Sequence, residues 1–281
     1  MSRVITLTTD FGTSDSYVAS MKGAIFSVNP QAKIVDISHS IEPQSIRQAS
    51  FILHTAWHYF PEGTVHIIVV DPGVGGHRRA VILKTPSALF VTPDNGVLSY
   101  ILHELSDVTA SHSYPVSDQV ARRVMPEGCE AVSITNKEYW RHPVSSTFHG
   151  RDIFAPVAAH LSLDIPFREF GEPVDSLNAF AIPIPFKDAT GHSIGQIIHI
   201  DRFGNLITNL KSRDIPSGGA GVEIGNQRID NTSSYYAQGK GLMALIGSND
   251  YLELSFKEGS AASLLGARVG DSVKILNPPG R

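Results

Sequence analysis

The chain carries a single cysteine, Cys129, so no internal disulfide can form and a reducing compartment is the expected setting. No stretch approaches the roughly 18 uninterrupted apolar residues of a membrane span. The N-terminus, Met1-Ser2-Arg3-Val4-Ile5-Thr6, lacks the charged-then-apolar layout of a signal peptide. No run of like charge occurs, and a formal net charge of −4 argues against a dedicated nucleic-acid binder, which would show a basic patch. A soluble cytoplasmic protein with neither a membrane nor a nucleic-acid partner is therefore expected. Familiar motifs are missing too. There is no Gly-Lys-Ser/Thr phosphate loop and no Gly-x-Ser-x-Gly elbow. The 12 histidines form no His-Glu-x-x-His and no Cys/His cluster, so no zinc site is expected. Gly73-Val74-Gly75-Gly76-His77-Arg78 puts arginine where the dinucleotide fingerprint needs its third glycine.

What the chain does have is apolar residue, 42% of 281, enough to build the core of one large domain or two medium ones. Residues 3–9 read as a first strand, 16–29 as a helix, 33–37 as a second strand, and Glu42 to Tyr59 as a helix with Ile46, Ala49, Ile52, Leu53 and Ala56 on one face. The run His66 to Val70 is β-branched and lacks a helical stripe, which favours a strand covered on both faces. Strands at 80–84 and 88–92 follow, then a short helix from Pro93-Asp94-Asn95-Gly96 to Glu104, and a helix from Arg151 to Leu163 that Pro156 would kink unless it sits near the start. This alternation implies a mostly parallel sheet with helices on both faces. Residues 110–145 carry no clear pattern. Residues 171–191 hold Pro173, Pro183, Pro185 and Gly191 and supply the linker, set at 176–191. Beyond it, short strands at 194–200, 206–210, 220–224, 242–246, 251–255 and 272–276 suggest a small antiparallel barrel or sandwich. The expected domains are thus 1–175 and 192–281.

Five segments carry candidate chemistry. Asp71 follows the buried strand 66–70, where open α/β sheets bind ligands, and Arg78 and Arg79 lie a few residues on. A turn carboxylate bridged to a surface arginine fits the same residues. Phe148-His149-Gly150-Arg151-Asp152 precedes a helix, and Gly150 would let a ligand approach the backbone; a helix cap with an ordinary histidine is the alternative. In Thr8-Thr9-Asp10-Phe11-Gly12, Asp10 suits a ribose diol or an Asx-turn. Asp201-Arg202-Phe203-Gly204-Asn205 offers a carboxylate, a ring and an amide for an amine and a base, or else a hairpin turn. Gly247-Ser248-Asn249-Asp250 is an anion-binding turn or a plain hairpin. Cys129, Trp57 and Trp140 read as packing residues.

Taken in order and spacing, these segments resemble the S-adenosyl-L-methionine hydroxide adenosyltransferases, adenosine-forming hydrolases related to the fluorinating and chlorinating enzymes that use the same substrate. The resemblance runs from Thr8 to Ser260-Ala261-Ala262. It implies a Rossmann-like N-terminal α/β domain, a C-terminal β-barrel, and a homotrimer with active sites between subunits. It also implies hydrolysis of S-adenosyl-L-methionine to adenosine and methionine, with no cofactor and no metal. Asp71, Arg78 and His149 take the positions that handle water. Asp10 would hold the ribose diol, Asp201 the methionine ammonium and Ser248 its carboxylate. Phe203 and one of Tyr235 or Tyr236 would flank the adenine, and Asn205 and the backbone at Ala261 would read its edge.

The chain departs from the halogenating branch. Asp71 stands where fluorinases carry tyrosine, Gly150 where they use serine near fluoride, and Gln44 where they have tryptophan. Lys257-Glu258-Gly259-Ser260 differs in length. A carboxylate at position 71 would repel a halide. Halogenation of the same substrate and binding without turnover remain the alternatives, and a methyltransferase lacks its glycine-rich loop here.

Overall fold

The computed structural model describes residues 3–106, 119–216, 221–230, 236 and 241–276. The chain divides into two compact units, the boundary lying between Ile182 and Pro183. No described helix is long and apolar enough to cross a membrane.

The first unit is built on strands β1 (Val4–Thr9), β2 (Lys33–Ser38), β3 (Thr64–Val69), β4 (Ala80–Lys84), β5 (Ala88–Pro93), β6 (Ala121–Val124), β7 (Glu130–Ile134), β8 (Gly171–Val174) and β9 (Ser176–Ala179). Its helices are α1 (Tyr17–Val28), α2 (Ile46–Ala56), α3 (Ser99–Leu105) and α4 (Ala155–Leu161). The main sheet has the order β2-β1-β3-β5-β4-β7-β8. It is parallel from β2 to β5 and antiparallel from β5 to β8. The expected mostly parallel sheet is thus found in its first half only. The loop between β4 and β5 is too short for the crossover a parallel pair requires, so these two strands form a hairpin. Residues 176–179, in the stretch read as linker, pair with β6.

β3 is buried along its whole length, as its β-branched run requires. Val65, Ile67 and Val69 face a core shared with Met21 and Ile25 of α1 and Val157 and Ala158 of α4. Ile68 and Val70 face the opposite core, with Ala49 and Leu53 of α2 and Ile101 and Leu102 of α3. So α1 and α2 cover opposite faces. The connection through α1 runs from β1 to one side and that through α2 returns to the other, placing a topological switch between β1 and β3.

Two helix boundaries differ from expectation. α2 begins at Ile46 rather than near Glu42, because Gln44 has a left-handed backbone (φ 67°) that a helix cannot absorb. The helix expected from Arg151 starts as a π-turn, Gly150–Phe154, before α4. Pro156 has no N–H for the carbonyl of Asp152, and that carbonyl instead accepts the N–H of Arg141 at 2.8 Å.

The second unit holds β10 (Phe186–Lys187), β11 (Ser193–Ile200), β12 (Leu206–Lys211), β13 (Val222–Ile224), β14 (Gln227–Ile229), β15 (Leu242–Ile246), β16 (Tyr251–Phe256), helix α5 (Ala261–Leu265) and β17 (Ser272–Ile275). They form one antiparallel sheet, β14-β13-β17-β11-β12-β16-β15, with β10 also on β11. Its ends, β14 and β15, approach each other, so the sheet is barrel-like around Ile197, Leu210, Leu254 and Val273. The six expected strands are present; Ala220, the start of one, lies outside the described residues. β14 went unread, although Gly225-Asn226 joins it to β13 as a two-residue hairpin turn with Gly225 at φ 55°.

Candidate active site

Asp10 and Asp71 follow the carboxyl ends of β1 and β3, neighbours on either side of the switch. Both line a cavity of about 390 Å³, together with Phe11, Tyr17, Gln44 and His149. Three rings build one wall. Tyr17 meets Phe148 edge-on at 5.3 Å, and Phe11 meets each of them at 5.5 and 5.7 Å. Asp10 Oδ2 accepts the backbone N–H of Gln44 at 2.8 Å.

Of the two arginines after Asp71, Arg79 pairs with the buried Asp94 at 2.9 Å and is structural. Arg78 turns back to Asp71. Its Nε donates to Oδ1 and Oδ2 at 2.9 and 3.0 Å, and its Nη2 also donates to Oδ2. The side chains are 5% (Asp71) and 11% (Arg78) exposed. Nη2 reaches His149 Nδ1 at 2.8 Å as well. A guanidinium has no acceptor, so Nδ1 must be the acceptor and the proton of a neutral His149 sits on Nε2. Burial pushes the His149 pKa below its ordinary value, and the Arg78 charge adds to this against the opposing pull of Asp71 and Asp152. His149 is therefore neutral at pH 7, with only its Nε2–H left to offer.

Backbone packing holds this chain of side chains together. A Cβ on Gly73 would lie 3.3 Å from Arg78 Cγ. Gly75 has φ 75°, and a Cβ there would lie 2.4 Å from the carbonyl oxygen of Ser146, so glycine lets the Asp71 turn meet the segment before His149. Asp152, fully buried, accepts from Ser145 N at 2.9 Å, Arg141 at 3.2 Å and Arg151 at 2.7 and 2.8 Å. Burial alone would raise its pKa; the bonds to Arg151, Ser145 and Arg141 outweigh it and hold the carboxyl below its ordinary value. Asp152 and Arg151 thus frame the 145–152 turn. Gly150 is a packing glycine: a Cβ would press on Met21, Phe148 and Val69, each at 3.3 Å.

In the second unit, residues 201–205 form the β11–β12 hairpin. Asp201 Oδ1 accepts the N–H groups of Phe203 and Asn205 at 2.8 and 2.9 Å, and Oδ2 accepts Asn205 Nδ2 at 2.8 Å. Phe203 stands 77% exposed at the tip. Gly204, at φ 81°, packs so closely on Ser260 that a Cβ would fall 2.0 Å from its Oγ, and the Gly204 carbonyl accepts Ala262 N at 2.9 Å. This brings buried Ala261 beside the hairpin. Tyr236 donates its hydroxyl to Glu253 Oε2 at 2.7 Å. Burial and that carboxylate push the tyrosine up to about 12, and burial together with the Asp201 charge raises Glu253. Ser248 sits exposed in the β15–β16 turn, where the Glu253 carboxylate occupies the space over Gly247. Tyr235 lies outside the described residues.

The SAM hydroxide adenosyltransferase N-terminal domain model matches residues 5–171, and the C-terminal domain model of that family matches 195–274. The chain belongs to the SAM hydroxide adenosyltransferase family. It is 34% identical to an (R)-S-adenosyl-L-methionine hydrolase of Thermus thermophilus, covering 98% of this chain and 100% of that one. It is 33% identical to the enzyme of that name from Methanocaldococcus jannaschii, over 97% and 95% of the two chains. A fluorinase of Actinoplanes is further off, 28% identical over 78% and 76%. The crystal structure of an uncharacterized conserved protein from Thermotoga maritima, 32% identical, superposes with a TM-score of 0.83 over 98% of this chain and all of that one.

In this family member, Asp10, Asp71 and His149 share one cavity wall, with Arg78 clasping the last two from the side. Asp201, Phe203, Asn205 and Ala261 meet around one hairpin of the second unit. Two residues of these clusters went unread in the sequence. Tyr17 stood inside a helical pattern, and Glu253 is an inconspicuous charge on a strand; Gln44 stood out only for the tryptophan that fluorinases carry there, and its bond to Asp10 was hidden inside a presumed helix. Only its alternation with buried Leu252 and Leu254 marks Glu253 as facing away from the barrel core.

Proposed function

We propose that this chain hydrolyses S-adenosyl-L-methionine to adenosine and L-methionine, water attacking the ribose C5′ in line with the departing sulfur. The observation that carries the reading is the Asp71–Arg78–His149 chain beside a cavity that also holds Asp10. The O–C5′ bond forms as the C5′–S bond breaks. Its electron pair goes to sulfur, cancelling the sulfonium charge, so the leaving group needs no acid, metal or cofactor.

The demand falls on the nucleophile. Asp71 is oriented by Arg78, and it accepts a hydrogen bond and then the proton of the attacking water. Arg78 acts through its partners: it neutralises the carboxylate's field and fixes the His149 tautomer. His149 then presents Nε2–H, a donor that positions oxygen and does not accept the proton. Holding water in line with the C5′–S axis supplies much of the acceleration, since well-oriented reactions gain ~7–11 kcal/mol.

Asp10 holds the ribose diol beside the Phe11, Tyr17 and Phe148 rings. Asp201 keeps a lone pair on Oδ2 for the methionine ammonium, its other sites being taken by the hairpin. Ser248 binds the carboxylate, Phe203 and Tyr236 flank adenine, and Asn205 and Ala261 read its edge. We place the active site between subunits of a homotrimer, the first unit of one facing the second unit of the next. The β2-β1-β3-β5 half of the sheet is read as its Rossmann-like part, and the second unit as a small barrel. A reducing cytoplasm suits the lone thiol.

The test is incubation with each sulfonium epimer of S-adenosyl-L-methionine in metal-free, halide-free buffer made with oxygen-18 water. Equal adenosine and methionine with label at the 5′-oxygen are expected from the (R) epimer, for which the relatives are named. Substrate bound but surviving intact in every epimer would mean a binding protein, and a 5′-halogenated nucleoside on adding halide would mean the other branch of chemistry.

A further inference from the structure

We propose that His54, His58 and Glu104 form a binding site for a divalent transition-metal ion of the zinc type. Among the described residues they bring three ligand atoms within 4.8 Å of one another. His54 lies in the last turn of α2, His58 in the single 3-10 turn that follows it, and Glu104 near the end of α3. None of the three lines the Asp71 cavity.

The donors suit such an ion. Two imidazoles and a carboxylate are the ligand types borderline metals take, with one position left for water. The geometry is nearly in place. His54 Nδ1 is 3.1 Å from Glu104 Oε2, and His58 Nε2 is 2.9 Å from Oε1. Metal–ligand bonds of about 2.05 Å at tetrahedral angles put donor atoms ~3.3 Å apart, close to these two nitrogen–oxygen separations, and the three ligand atoms together span no more than 4.8 Å. The rings are already oriented. His54 stacks on Tyr100 at 5.3 Å, and His58 lies against Trp57 at 4.0 Å. Without metal, the two histidines hydrogen-bond one carboxylate across the α2–α3 contact. With metal, the ion replaces those shared protons and pins the two elements together.

The linear spacing His54-x-x-x-His58 gives only half of this site. Glu104 completes it through packing, which is why the histidine pattern by itself predicts no zinc.

The experiment uses tag-free, chelator-stripped full-length protein titrated calorimetrically with Zn²⁺ alone, and with Co²⁺ followed by visible absorption. One saturating equivalent, a cobalt spectrum of low coordination number and a metal-dependent rise in Tm are expected. His58→Gln, which keeps a polar side chain beside Glu104, and Glu104→Gln should each weaken binding at least tenfold and abolish the rise in Tm. Absence of saturable binding by wild-type protein overturns the proposal. So does undiminished affinity in the folded double variant, which would put the ion elsewhere.

Discussion

Asp71→Asn separates a catalytic carboxylate from a structural one. The substitution keeps the shape and removes the charge that Arg78 clasps through Nε and Nη2. Removing one partner of a buried ion pair costs about 3–5 kcal/mol. The low end, about 3 kcal/mol, applies because Asp71 borders a cavity and Arg78 keeps His149 as a second partner. For a domain of this size each kcal/mol lowers Tm by about 2–4 °C, so the first unit should unfold roughly 6–12 °C earlier. An amide still accepts a hydrogen bond but cannot take the proton of the attacking water. Turnover should therefore fall at least about tenfold, or ~1.4 kcal/mol in barrier, while KM changes little. Differential scanning calorimetry and product chromatography at a temperature where both proteins are folded read the two effects. A lower Tm with unchanged kcat would make the pair purely structural. Unchanged Tm and kcat together would refute the whole argument from Asp71.

Three further perturbations test the frame. In nitrogen-15 NMR at pH 7, His149 should show Nδ1 bare and Nε2 protonated; the reverse tautomer would contradict the Arg78 contact. Gly75→Ala combines a left-handed backbone with a Cβ 2.4 Å from the Ser146 carbonyl, and should cost at least about 2 kcal/mol and much of the activity, read by thermal unfolding and turnover. His66 is fully buried, and burial drives its pKa from 6.5 to about 3. The unfolded chain thus takes up a proton that the folded one refuses, so up to about 5 kcal/mol present above pH 6.5 is lost as pH falls toward 3. His66→Phe, which keeps a ring against Phe90, should flatten acid unfolding over that window; an unchanged pH profile would place the proton uptake elsewhere.

Much of this protein is legible residue by residue, because local rules govern it. β-branched runs make β1 and β3, and the chain itself puts a carboxylate after each. The second unit's strands are marked by turns, and even β14 follows from Gly225-Asn226. Composition and motif order are also one-dimensional, so family membership follows from them. The partners of each charge are a different matter. Arg78 and Arg79 are adjacent and chemically alike, yet one meets Asp71 and the other Asp94, since successive residues along extended chain point to opposite sides. His149 reaches Arg78 across 71 positions because a proline-released carbonyl and buried Asp152 shape its turn. Gln44 leaves the helical pattern to bond Asp10, Glu253 finds Tyr236, and Glu104 finds two histidines. The sequence alone determined which groups are present and which element carries each. Tertiary structure alone decided which groups meet, and so the protonation state of His149, because hydrogen bonds and ion pairs depend on distances that only packing sets.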